Sequence, residues 1–188
     1  MARPEDPTAR DRLLHAATTL FYDRGIPAVG VAEVVAEAGT GKNVLYRHFP
    51  DGKDELVLAY LHSFAERIEA GMDQALAEVP PEEGLVTLAR YVASLVTHRR
   101  YRGCPFRNYL REMRDPSDAP GRFAMTQVRG LRRRVDALVA EVDAEEPEVL
   151  ADRIWLVIEG LYASAPYGDR TEAATTSVGL VQELLAAA

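Results

Sequence analysis

One cysteine, Cys104, stands in the whole chain, so neither an internal disulfide framework nor a cysteine-cluster metal site is available. No uninterrupted apolar run approaches the roughly 20 residues of a membrane span, and no membrane partner is expected. No alternating run is long enough to mark a strand. Residues 1–6 are charged and carry no apolar segment, so a secretory leader is not expected and the expected location is cytoplasmic. Paired acid–base motifs, metal-ligand spacing, a phosphate-binding glycine loop and a dinucleotide glycine pattern are all missing, so no cofactor, no metal and no catalytic residue are expected. Positive charge is also short. The 22 Lys and Arg against 29 Asp and Glu leave −7, which gives no bulk attraction to nucleic acid.

What is present is ordinary for a globular chain of 188 residues, with 47% hydrophobic and 27% charged residues. That length fits one domain, or a small module fused to a larger body. The charge is uneven. Residues 1–53 hold seven basic and seven acidic residues, whereas residues 54–188 hold 15 and 22, so the whole −7 lies there. A neutral N-terminal part on an acidic body is compatible with a DNA-binding module, because only the face turned to DNA must be positive.

The apolar period is helical almost throughout. Val57, Leu61, Phe64, Ile68, Met72 and Ala75 step by three and four, and so do Val128, Leu131, Val135, Leu138 and Val142. Ala151, Ile154, Ile158, Leu161 and Ala165 make a third stripe. Prolines at 50, 80, 81, 105, 116, 120, 147 and 166 fall between the stripes or at their starts. The expected fold class is all-α, with about nine helices near 8–24, 31–38, 42–48, 53–78, 82–100, 105–114, 121–143, 147–165 and 170–186.

Residues 11–49 hold the sharpest pattern. The first helix is expected to bury Leu14, Ala17 and Phe21 and to end at Arg24-Gly25, a left-handed cap. Val31, Val34, Val35 and Ala38 face inward from a two-turn helix that Gly39-Thr40-Gly41 breaks. In the following helix Leu45 and Phe49 turn inward, which leaves Lys42, Asn43, Tyr46 and Arg47 on its outer faces. Two short helices with a glycine turn, buttressed by a third, form the helix-turn-helix unit. A helix fits the major groove of DNA and its first turn meets base edges. A helical hairpin with a solvated charged face would show the same periodicity.

The residues themselves separate these readings. Ala16-Ala17, Leu20-Phe21, Arg24-Gly25, Val31, Glu33-Val34, Ala38-Gly39, Lys42, Leu45-Tyr46, His48-Phe49, and Lys53 with Leu56 resemble the tetracycline-repressor (TetR) family of bacterial transcriptional regulators. The resemblance covers about residues 10–61. It implies a DNA-binding domain at 1–52 and an effector-binding and dimerisation domain at 53–188. It also implies that Lys42, Tyr46 and Lys53 contact the DNA backbone, and that Asn43, Val44 and Arg47 stand where base readers sit. Thr40 and Gly41 complete the expected DNA-binding set. The chain departs from the family in four places. Val29 and Gly30 replace a hydroxyl cap, Thr40-Gly41 replaces a hydrophobic-Ser turn, Val44 replaces a smaller residue, and Pro50-Asp51-Gly52-Lys53 is one residue longer than the commonest loop.

The rest of the chain is less explicit. Phe64, Tyr91, Leu95, Cys104, Phe106, Tyr109, Met113, Val128, Trp155 and Tyr162 cluster on helical faces around the Gly103–Phe106 break and can line an apolar effector pocket. Plain core packing accounts for the same residues. Cys104 reads as a small buried hydrophobe. The basic clusters His98–Arg102 and Arg129 with Arg132–Arg134 read as solvated faces, or as an anion site for an acidic ligand. His15 and His62 read as solvated helix positions. The resemblance implies a ligand-responsive repressor, a double-stranded DNA operator, a small-molecule effector and a homodimer through the last two helices. The competing class is a helical binding protein or enzyme using Cys104 or Glu159. It leaves the run from Lys42 to Phe49 without a role.

Overall fold

The computed structural model describes residues 7–113 and 117–188; the expectations for residues 1–6, Pro116 and a sixth helix ending at residue 114 lie outside these residues. The described residues form nine helices and no strand: α1 Pro7–Arg24, α2 Val31–Glu37, α3 Lys42–His48, α4 Lys53–Leu76, α5 Pro81–Thr97, α6 Pro105–Glu112, α7 Ala119–Val139, α8 Pro147–Ser164 and α9 Arg170–Ala186. The all-α reading therefore holds, with shifts at several ends. α5 stops three residues early, at Thr97, because His98 leaves the helical region at φ −58°, ψ 134°. Its ring Nδ1 then accepts the Arg100 N–H and its carbonyl accepts the Tyr101 N–H. α7 starts early because Asp118 caps it, accepting the Gly121 N–H at 2.7 Å.

By packing, the chain divides into two units, and the division falls inside α4 and α7. One unit runs to Glu66 and takes in Pro105–Thr126; the other holds Arg67–Cys104 and Gln127–Ala188.

The first unit contains α1 to α3, the start of α4, α6 and the start of α7. Its core is Leu13, Ala17, Phe21, Val34, Leu45, Phe49, Leu56, Tyr60 and Leu61, each at most 2% exposed. The expected Leu14 is only half-buried, and its neighbour Leu13 takes the inward place. Leu13, Ala17 and Phe21 are four apart, so the stripe closes through Leu13 rather than Leu14. Tyr60 sits edge-on to both Phe21 and Phe64, with ring centres 5.8 and 5.3 Å away. His62, expected in solvent, is exposed, yet its ring stacks on Phe123 at 3.9 Å.

The second unit is built on α5, α8 and α9. Leu85, Leu88, Val92 and Val96 of α5 meet Ile154, Ile158 and Leu161 of α8 and Val181 of α9 in its core. All five members of the expected 151–165 stripe are buried. Gly84 lets α5 approach α7 closely, since a Cβ there would lie 2.8 Å from a methyl of Leu138. α9 starts on Asp169, whose carboxylate accepts the Thr171 and Glu172 N–H groups at 2.8 and 3.2 Å.

Candidate nucleic-acid interface

The interface rests on α2 and α3, two helices of seven residues each, which on their own are too short to be stable in water. Local caps and a shared core hold them. α2 begins on Gly30, which has no side chain to cap with. Glu33 reaches back instead: its Oε1 accepts the Gly30 N–H at 3.2 Å and its Oε2 pairs with Arg24 at 2.5 Å. These contacts hold the Glu33 carboxyl below the usual carboxylate range, the Gly30 bond first and Arg24 second. Glu33 thus supplies the reciprocal half of a capping box from the third helical position, satisfying the Gly30 N–H, while Gly30 has no side chain for the N–H groups that a hydroxyl would accept.

The turn between α2 and α3 follows from Gly39 at φ +61°. The Gly39 N–H reaches the Ala36 carbonyl at 3.2 Å and the Thr40 N–H reaches Val35 at 2.9 Å, which closes α2 in a Schellman motif. Gly41 then starts α3, its carbonyl accepting the Val44 and Leu45 N–H groups at 3.0 and 3.2 Å. A Cβ at Gly41 would meet nothing within 4 Å. The Thr40 hydroxyl is buried and has no hydrogen-bond partner among the described residues.

α3 has two faces. Leu45 and the adjoining Phe49 are 0% and 1% exposed and anchor it in the core. Lys42, Asn43, Tyr46 and Arg47 are exposed, with Val44 half-buried between them. Lys53, also half-buried, opens α4. All four outer residues can meet an anion or a base edge with a side-chain donor, and Lys42 and Arg47 each add a full positive charge. Two side chains were not foreseen. Arg10 of α1 places its guanidinium 5.2 Å from the centre of the Phe49 ring. Glu112 of α6 accepts the Ile26 N–H at 2.8 Å and lies under Gly25, where a Cβ would be 3.3 Å from its carboxylate. Nothing within a local window connects positions 86 apart, so no sequence signal pointed to that contact.

The ten residues expected at an effector pocket divide between the units. Phe64, Phe106, Tyr109 and Met113 belong to the first; Tyr91, Leu95, Cys104, Val128, Trp155 and Tyr162 belong to the second. Phe106, Tyr109, Cys104 and Tyr162 are buried, and the others are half-buried. Tyr109 donates its hydroxyl to Asp118 at 2.6 Å, and burial together with that carboxylate pushes its pKa up. Tyr91 donates to the Ile68 carbonyl at 2.8 Å, where Gly71 makes room for it. A groove of about 340 Å³ lies elsewhere in the second unit, between α7 and α8. Arg132, Asp136, Glu148 and Asp152 are among the residues that line it, none of the ten does, and Arg132 bridges Asp136 and Asp152 at 2.8 and 2.7 Å. Glu159, the acid named for the enzyme alternative, is half-buried on α8.

The family profile described as bacterial regulatory proteins, tetR family, matches residues 13–60. A TetR-family transcriptional regulator from Streptomyces coelicolor shares the fold at TM-score 0.89 and 30% identity, over 95% of this chain and 89% of that one. The HTH-type transcriptional activator FasR of Mycolicibacterium smegmatis is 45% identical over 67 residues, 36% of this chain and 30% of that protein. The HTH-type transcriptional repressor KstR2 of the same organism is 29% identical over 133 residues, 70% of this chain and 62% of that protein. The matches to these two curated relatives span less than two thirds of either one's length. All three are transcriptional regulators rather than enzymes.

Proposed function

Because this chain belongs to the TetR family of bacterial transcriptional regulators and carries its DNA-binding helix-turn-helix, we propose that it is a repressor that grips a palindromic operator as a homodimer and lets go when a small-molecule effector binds. The observation that carries the DNA part is the outer face of α3. Its apolar Leu45 and the adjoining Phe49 are buried, while Lys42, Asn43, Tyr46 and Arg47 are exposed and able to enter a groove. Lys42, Tyr46 and Lys53 take phosphates. Asn43 and Arg47 read base edges, the Val44 methyls touch thymine, and Thr40 and Gly41 bring the backbone close.

The dimer rests on α8 and α9. Beside the core stripe these helices leave Val149, Leu156 and Leu180 exposed at 38%, 69% and 41%. Gly160 on α8 and Gly179 on α9 have open space where a side chain would stand. A second copy packed on this face in a two-fold four-helix bundle covers these residues and presents two readers. Half-sites one helical turn apart need a reader spacing of about 34–36 Å. For the effector, the second unit offers the aromatic, aliphatic and sulfur side chains of Tyr91, Leu95, Cys104, Val128, Trp155 and Tyr162. A coupling of about 1–3 kcal/mol gives a 5–150-fold change in affinity. The repressor sense is favoured by the extent of the match to KstR2, a repressor, which runs over 133 residues against 67 for the activator FasR.

The test compares Lys42→Ala and Arg47→Ala on a duplex selected from a randomised pool and on a scrambled duplex, at several salt concentrations. Lys42→Ala weakens both equally and lowers the salt slope by about one per subunit. Arg47→Ala relaxes preference at one base pair of each half-site, by about 1–3 kcal/mol. Two folded variants with unchanged affinity and slope would remove the reading of α3 as the DNA-reading element.

A further inference from the structure

Gly52 stands in the loop that is one residue longer than the family's commonest form. It is buried, with φ +66°, and three contacts fix it. Its N–H reaches the Phe49 carbonyl at 2.9 Å, and its own carbonyl accepts the Leu56 N–H at 3.2 Å, one of the first bonds of α4. The third contact is with Tyr46. A Cβ on Gly52 would lie 3.1 Å from Tyr46 Cε1 and 3.9 Å from both Cδ1 and Cζ. The ring of a half-exposed tyrosine therefore lies along the bare backbone of residue 52.

We infer that Gly52 is a positioning residue of the DNA interface: its missing side chain is the seat that holds the Tyr46 ring in one orientation and so delivers the Tyr46 hydroxyl to a backbone phosphate. Two requirements converge on glycine here. The positive φ favours it, but asparagine also tolerates that region. Any side chain at position 52, asparagine included, would bring a Cβ to 3.1 Å from Tyr46 Cε1 and push the ring off this position by a few tenths of an ångström or more. An exposed aromatic on a helix otherwise samples several rotamers, and ordering it on binding has a cost that a preformed seat removes. The inference rests on the reading that Tyr46 meets DNA.

The experiment is a double-mutant cycle on the full chain with Tyr46→Phe, Gly52→Asn and both together, measuring affinity for the pool-selected duplex and its salt slope. Asparagine keeps the backbone conformation and blocks the seat; phenylalanine keeps the ring and removes the hydroxyl. Thermal unfolding of each variant checks that the module is folded. Each single change weakens binding about two- to tenfold, the range that the loss of one hydrogen bond gives. The double variant is no weaker than Tyr46→Phe alone, and every salt slope stays at the wild-type value, because no charge has moved. Additive losses would overturn the inference, since Gly52 would then act other than through the hydroxyl. A lowered slope in Gly52→Asn would also overturn it, by showing that the loop had displaced Lys53. If Gly52→Asn binds normally while Tyr46→Phe does not, the inference fails and the Tyr46 contact stands. If Tyr46→Phe binds normally, both fail.

Discussion

The bond between Glu112 and the Ile26 N–H gives a prediction whose size can be worked from the geometry. Ile26 is 4% exposed with Glu112 in place, and Glu112 is itself exposed. Replacing Glu112 by Ala strands that donor and also removes the side chain packed under Gly25. A stranded buried donor costs about 1–3 kcal/mol. Water entering where the carboxylate stood offsets part of the loss and puts the cost toward the low end of that range. Glu112→Gln keeps a carbonyl oxygen in the same place and loses only the charge. A charge-assisted bond is worth about 1.5–3 kcal/mol and a neutral one about 0.5–1.5, so this variant loses about 1 kcal/mol. Urea denaturation gives the totals. Amide hydrogen exchange gives the location, since the Ile26 N–H should exchange faster in Glu112→Ala and stay near its wild-type rate in Glu112→Gln. Equal stability of all three proteins, or unchanged Ile26 exchange in the alanine variant, would refute the reasoning.

Three further outcomes are expected. Leu156→Glu puts a charge on the most exposed leucine of α8, on the face proposed to pair two copies, so the variant should sediment as a monomer at micromolar concentration where the parent chain sediments as a dimer, with the helical content retained. Glu33, its folded pKa depressed chiefly by the Gly30 N–H, adds stability above its unfolded pKa and loses it as pH falls through the lower folded value; Glu33→Gln should therefore flatten that part of the acid limb in a pH series of unfolding curves. Asp169→Ala leaves two N–H groups at the start of α9 without their acceptor and costs about 0.5–2 kcal/mol in chemical denaturation.

Much of the fold was legible because helices here announce themselves by period. The stripe from Ala151 to Ala165 appears in the sequence as it appears in the core, since every member lies three or four residues from the next. Adjacent leucines defeat that logic: Leu13 and Leu14 both fit a period, and only the tertiary core chose Leu13. The start of α7 was hidden because Asp118 caps it while also accepting the Tyr109 hydroxyl, a pairing set by packing. At the DNA face the outer residues of α3 were readable, because Leu45 and Phe49 fix which side turns inward. Arg10, Glu112 and the seat at Gly52 were not, because each depends on a contact outside its own helical turn.

The discontinuous make-up of the first unit bears on how such regulators can be recombined. The profile match ends at residue 60, which invites a graft of the first sixty residues onto another family member's body. That cut leaves behind Pro105–Thr126, and with it the carboxylate that satisfies Ile26. A chimera cut there carries an intact reading helix on a weakened scaffold, whereas one that transplants the α6 segment along with the first sixty residues carries its own support. In this chain the portable part is two stretches of sequence, and only the first of them looks like a reader.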